Sequence, residues 1–93
     1  MGKEWIKLVH KSYLASVKGN YQKSIHLAQR ALELNPNSSE AWCLIGNAYE
    51  LLGDEAEDTG VLGEAFDYHR KAIDAWDVAK SINPKIKIPG YHK

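Results

Sequence analysis

Pro36-Asn37-Ser38-Ser39-Glu40-Ala41-Trp42-Cys43-Leu44-Ile45-Gly46-Asn47-Ala48-Tyr49 is the stretch on which the fold turns. Asn35-Pro36 disfavours continuing a helix from upstream, because proline has no N–H and its ring restricts the residue before it. Ser38 or Ser39 offers a hydroxyl to cap a new helix, and Glu40 falls in its first turn, where the helix dipole favours an acid. Ala41, Trp42, Leu44, Ile45, Ala48, Tyr49 and Leu52 then make one apolar face. Gly46 interrupts that face. A glycine inside a helix costs about 1 kcal/mol against alanine, and its use here is to let a second helix approach where any side chain would hold it off.

Upstream, Trp5, Ile6, Leu8, Val9, Ser12, Tyr13, Ser16 and Val17 recur at helical spacing and predict a helix over about residues 3–17. Lys18-Gly19-Asn20 stops it. Tyr21, Ser24, Ile25, Ala28, Ala31 and Leu32 form the face of a second helix ending near Leu34, antiparallel to the first. Downstream, Leu62, Ala65, Phe66, His69, Ala72, Ile73, Trp76 and Ala79 hold one unbroken stripe and predict a long helix over about 61–82, with Asp58-Thr59-Gly60 as the hairpin tip. Gly53-Asp54 leaves a second layout open, with a break there and a short extra helix from Glu55. The tail from Lys85 has no helical period and reads as extended, with Ile86, Ile88 and Tyr91 available to lie over the outer face of the last helix.

Trp42, Ile45, Gly46 and Tyr49 fit the Trp-x2-Leu-Gly-x2-Tyr opening of a tetratricopeptide repeat, and Pro36 fits the proline that closes the preceding one. The chain therefore resembles that family over essentially residues 5–84. The first unit is degenerate, with Leu8 at the tryptophan position, Ser12 at the small-residue position, and Ser24 and Ala28 where alanine and an aromatic are usual. In the second unit Ala72, Trp76, Ala79 and Pro84 reproduce the closing half. Pro36 to Pro84 is 48 residues, against a usual period of about 34, so the second unit is extended. That extended unit is also similar to the last repeat of a photosystem I assembly factor of the same class. The expected architecture is all-α: four helices in two antiparallel hairpins, the second elongated, forming one domain that divides into residues 3–36, 37–84 and a tail, 85–93.

Ninety-three residues, 44% hydrophobic and 26% charged, suit one soluble domain with a small core. No apolar run approaches the roughly 20 residues of a membrane span, and the opening lacks the apolar centre of a signal peptide, so no membrane contact and a cytoplasmic address are expected. The lone Cys43 allows no internal disulfide. Net charge is zero but uneven. Residues 1–36 carry six Lys/Arg against two acids, +4; residues 37–84 carry three against ten, −7; three lysines follow in the tail.

The resemblance implies a non-catalytic scaffold whose first helices line a concave groove for a peptide or a partner helix. On this chain the groove positions are Ile6, Val9, His10, Tyr13, Ser16 and Val17, facing Glu40, Cys43, Leu44, Asn47, Glu50 and Leu51. Asn47 is expected to meet a ligand's backbone through both its donor and its acceptor. Lys and Arg, which a clamp for a C-terminal carboxylate requires, are missing from these places. Phe66, Ile73 and Trp76 form a stripe through which the domain is expected to self-associate, since two repeats fall short of the roughly three usually needed.

Other chemistry is weakly signalled. Lys3, Lys7 and Lys11, roughly extended by Lys18, form a row that would suit a phosphate backbone, but no aromatic is interleaved for stacking, so a solvated face is the better reading and nucleic acid is not the expected partner. The acidic cluster Asp54, Glu55, Glu57, Asp58, Glu64 and Asp67 lacks the spacing of a calcium loop. His10, His26, His69, His92 and Cys43 supply no His-x3-His pair and no second thiol, and no base is placed beside Cys43. No catalytic residue, metal site or cofactor is expected, and the chain does not read as an enzyme.

Overall fold

The computed structural model describes residues 2–89 and 91; His92, the last of the candidate histidines, lies outside them. Four helices follow in order: α1 (Glu4–Val17), α2 (Tyr21–Leu34), α3 (Ser39–Asp58) and α4 (Leu62–Ile82). Each packs on the next, and α1 also meets α3. The local signals act as the sequence reading expects. Asn20 caps α2 by accepting from the Lys23 N–H at 3.3 Å, and Ser38 caps α3 by accepting from the Ala41 N–H at 3.2 Å. Both hairpins turn on a glycine at φ +82°, Gly19 and Gly60, a conformation that costs other residues roughly 1–2 kcal/mol.

The first hairpin is held by a polar pair. Ser12 and Ser24 are both fully buried; the Ser12 hydroxyl donates to the Ser24 carbonyl at 2.7 Å, and the two Oγ atoms lie 3.0 Å apart. The two serines that depart from the repeat pattern satisfy one another, which removes the penalty of burying either alone. Outside this contact Ala28, Ala31, Ala41, Ile45 and Ala75 form the core joining the two hairpins, walled by Trp5, Leu8, Leu32, Trp42 and Tyr49.

The second hairpin is elongated. Its helices are 20 and 21 residues long against 14 each in the first, which adds about 10 Å at 1.5 Å per residue. No break occurs at Gly53, which is buried inside α3. Two glycines set how closely its arms approach. A methyl group on Gly46 would overlap Cδ1 and Nε1 of Trp76 and sit 3.0 Å from the Ala72 carbonyl oxygen, and one on Gly53 would lie 2.7–2.9 Å from three atoms of the His69 ring.

The tail folds back along α4. Lys80 Nζ donates to the Ile86 carbonyl at 2.6 Å, the Tyr91 hydroxyl donates to Asp77, and the Tyr91 ring meets Trp76 edge-on at 6.1 Å. Ile88 is buried against Ala72, Trp76 and Ala79. This placement corrects one expectation: Trp76 is only 2% exposed and is not part of a surface stripe. The tail and Gly46 enclose it, and only Phe66 and Ile73 of that trio remain on the surface.

Gly46→Ala is expected to destabilise the protein by about 1–3 kcal/mol, the usual penalty for overpacking, despite alanine's better helix propensity. Thermal melts measure it; an unchanged or raised melting temperature would mean that α3 and α4 are not held at this distance.

Candidate functional site

The first helices of the two hairpins, α1 and α3, face each other across a groove. A cavity of about 410 Å³ opens there, lined by Ile6, Val9, His10, Tyr13, Glu40, Cys43 and Leu44, and closed at one side by Ile86 and Lys87 of the tail. Helical spacing explains the set: residues three and four apart stack on one face, so Ile6, Val9, His10 and Tyr13 of α1 line up opposite Glu40, Cys43 and Leu44 of α3. The walls are apolar and the edges carry His10, Glu40 and Lys87. Of the expected groove residues, Ile6, Val9, His10, Tyr13, Glu40, Cys43 and Leu44 meet in this cavity. Ser16, Asn47, Glu50 and Leu51 line a second hollow of about 280 Å³ with Trp76 and Pro89.

Asn47 is already committed. Its Oδ1 accepts from the buried Trp76 indole N–H at 3.0 Å, and its Nδ2 points to the Cys43 sulfur at 3.7 Å. The reason is the tryptophan: an indole N–H removed from water needs an acceptor, and Asn47 supplies it. One acceptor position and one donor of the carboxamide are thus used within the fold. Burial pushes the Cys43 thiol above its ordinary value, against the Asn47 contact that lowers it, and the Glu40 charge adds to the rise. Cys43 is thus a neutral, half-buried wall of the groove and a poor nucleophile.

Glu50 is also engaged, in a cluster that joins a groove position to the acidic residues of α3 and to His69. His69 Nδ1 lies 2.7 Å from Glu50 and Nε2 lies 2.5 Å from Glu57, with Asp54 at 3.9 Å. A neutral imidazole donates from one nitrogen only; carboxylates on both call for the imidazolium. The pKa of His69 is raised accordingly, first by the Glu50 hydrogen bond, against partial burial that lowers it, and further by the Glu57 hydrogen bond and both charges. Glu50, Asp54 and His69 bring metal-type donor atoms within 4.8 Å of one another, but the carboxylates and the imidazolium already satisfy one another. His69 is neither an interior residue nor a solvated one. The spacing of Glu50, Asp54 and Glu57 at four and three residues, which puts all three on one helix face, was the signal available in the sequence.

Elsewhere the lysine row is a solvated face, with Lys7 only loosely paired to Glu4 at 3.9 Å. On the convex side Tyr49 stacks on Tyr68 at 6.0 Å with Lys71 over both rings. Family models described as tetratricopeptide repeat match residues 8–38 and residues 27–58, together more than half of the chain. The chain belongs to the tetratricopeptide repeat family. Tetratricopeptide repeats mediate protein–protein interactions, and the family is typically non-catalytic. The second match ends where α3 ends and the first before α3 begins, so the elongated α4 lies beyond both. Comparison with curated proteins and with solved structures returned no match. No helix among the described residues is long and apolar enough to cross a membrane.

The His69 bridge predicts a pH dependence of known sign. A raised folded-state pKa contributes stability that is fully present below the unfolded value of about 6.5 and is lost as pH climbs through the folded value. The melting temperature is expected to fall as pH rises from about 6.5 through the raised folded value in the native chain, and to fall less in His69→Gln. Parallel curves for the two proteins would show that the bridge contributes nothing.

Proposed function

We propose that this tetratricopeptide repeat domain is a non-catalytic interaction module that takes an apolar segment of a partner protein, a peptide or one face of a helix, in the groove between α1 and α3. The observation that supports this reading is the apolar cavity walled by Ile6, Val9, Tyr13 and Leu44. Of these, Ile6 and Tyr13 are left substantially in water. Covering such side chains releases about 25 cal/mol per Å² of apolar surface. The charged edges, His10, Glu40 and Lys87, carry both signs, so the apolar anchor rather than net charge selects the ligand. Asn47 acts indirectly, by fixing Trp76 and hence the tail that forms the groove's side.

Selection from a displayed peptide library tests the reading. Peptides with two or more apolar anchors are expected, and Val9→Asp with Leu44→Asp is expected to weaken them at least about tenfold, the equivalent of 1.4 kcal/mol. Equal affinity for the native and the doubly substituted protein, both folded by circular dichroism, would place binding elsewhere.

A further inference from the structure

Leu62, Phe66, Ile73 and Lys80 fall four and seven residues apart and so share one line along α4. The tail holds one end of this line through the Lys80 contact to Ile86. The other end is bare: Leu62 and Phe66 are each 68% exposed and Ile73 is 47% exposed. Carboxylates border it, with Glu50, Asp54 and Glu57 gathered around His69 on the α3 side. The surface that complements an apolar line edged with acids is an apolar hollow edged with cations.

The opposite end of the same chain presents one. Between α1 and α2 lies a hollow of about 540 Å³ whose floor is Leu14, Ala15 and Leu27 and whose rim is Lys11, Lys18 and Lys23. The hollow and the apolar line share no residue, so both are available at once. We propose that copies of this chain associate head to tail, the Leu62–Phe66–Ile73 line of one copy seating in the lysine-rimmed hollow of the next. Phe66 is the projecting group and Leu14 with Leu27 the floor it meets. Charge complementarity selects a second copy: six Lys/Arg stand against two acids in residues 1–36, and ten acids against three Lys/Arg in residues 37–84. Arg70, which lies over the Phe66 ring at 6.0 Å, is drawn back to Asp67 at 3.7 Å, and the His69 imidazolium is enclosed by Glu50 and Glu57, so neither cation opposes the rim unpaired. The two surfaces differ, so the contact is heterologous and does not stop at a symmetric dimer. It uses neither wall of the α1–α3 groove and stands independently of the function proposed there.

Sedimentation across a range of concentrations and salt tests this. At low salt the average mass is expected to climb from 10.5 kDa past twice that value without a plateau, and to fall back as salt screens the rim. Phe66→Asp is expected to stay monomeric, and so is Lys11→Glu with Lys18→Glu. Each of these variants keeps one end intact, so an equimolar mixture is expected to form a dimer and stop there. All substituted positions are exposed, and circular dichroism confirms folding; Leu62→Glu serves if the Phe66 variant does not fold. A native mass of 10.5 kDa at every concentration, association that survives both variants, or a mixture that stays monomeric would each overturn the proposal.

Discussion

The close approach of α4 to α3 at Gly46 is the constraint on which the rest of the structure depends. It allows the Trp76 ring to lie against the α3 backbone, where a side chain at position 46 would overlap it. An aromatic ring of this size removes about 150–250 Å² from water, worth roughly 4–6 kcal/mol at about 25 cal/mol per Å². A glycine within a helix costs about 1 kcal/mol, so the exchange is favourable by a wide margin. Once Trp76 is seated, its N–H fixes the Asn47 carboxamide, and its outer surface becomes the bed for Ile88 and Tyr91. The side of the groove formed by Ile86 and Lys87 follows from that bed.

The elongated hairpin repeats this device rather than merely adding length. Gly53 lies seven residues after Gly46, and His69 lies seven before Trp76; in antiparallel helices both steps move two turns in the same direction, so the second glycine meets the second ring. An imidazole fills the second socket in place of an indole. Being smaller and nearer the surface, it takes its stability from Glu50 and Glu57 more than from burial. The first hairpin lacks both glycines at its centre and instead brings its helices together through Ser12 and Ser24, whose small side chains permit a near approach and whose polar atoms satisfy each other. Three contacts of different chemistry thus solve the same problem of helix spacing.

This explains which parts of the fold were legible in the sequence. Helix ends at Asn20, Ser38 and Gly60 are set by interactions within a few residues, and the helical spacing of the apolar positions fixed the four elements. Gly53 was ambiguous because a glycine that ends a helix and one that receives a ring look alike until the partner is known, and the partner, His69, is sixteen residues away. Trp76 looked like a surface residue for a similar reason. Among the described residues an irregular tail packs on α4, and the sequence pattern does not state that such a tail can cover it. Of the groove, Val9, His10, Tyr13, Cys43 and Leu44 are placed by helix periodicity alone, whereas the engagement of Asn47 and Glu50 depends on contacts made by α4 and so could not be read from α3.

The same geometry decides where the molecule's surfaces come from. In a stack of tetratricopeptide repeats each helix pair is covered by the next, and the last pair must be covered by something else or remain bare. Here the tail reaches back along α4 as far as Ala72 and Trp76 among the described residues. An ordinary hairpin would end about one turn beyond that point, but this one continues through Phe66 and Leu62. The extension therefore has two consequences with one cause. It carries the glycine-to-ring packing two turns farther, which gives the long arms their rigidity, and it outruns the cover, leaving apolar side chains beside carboxylates in a place where a regular repeat would have had no surface at all.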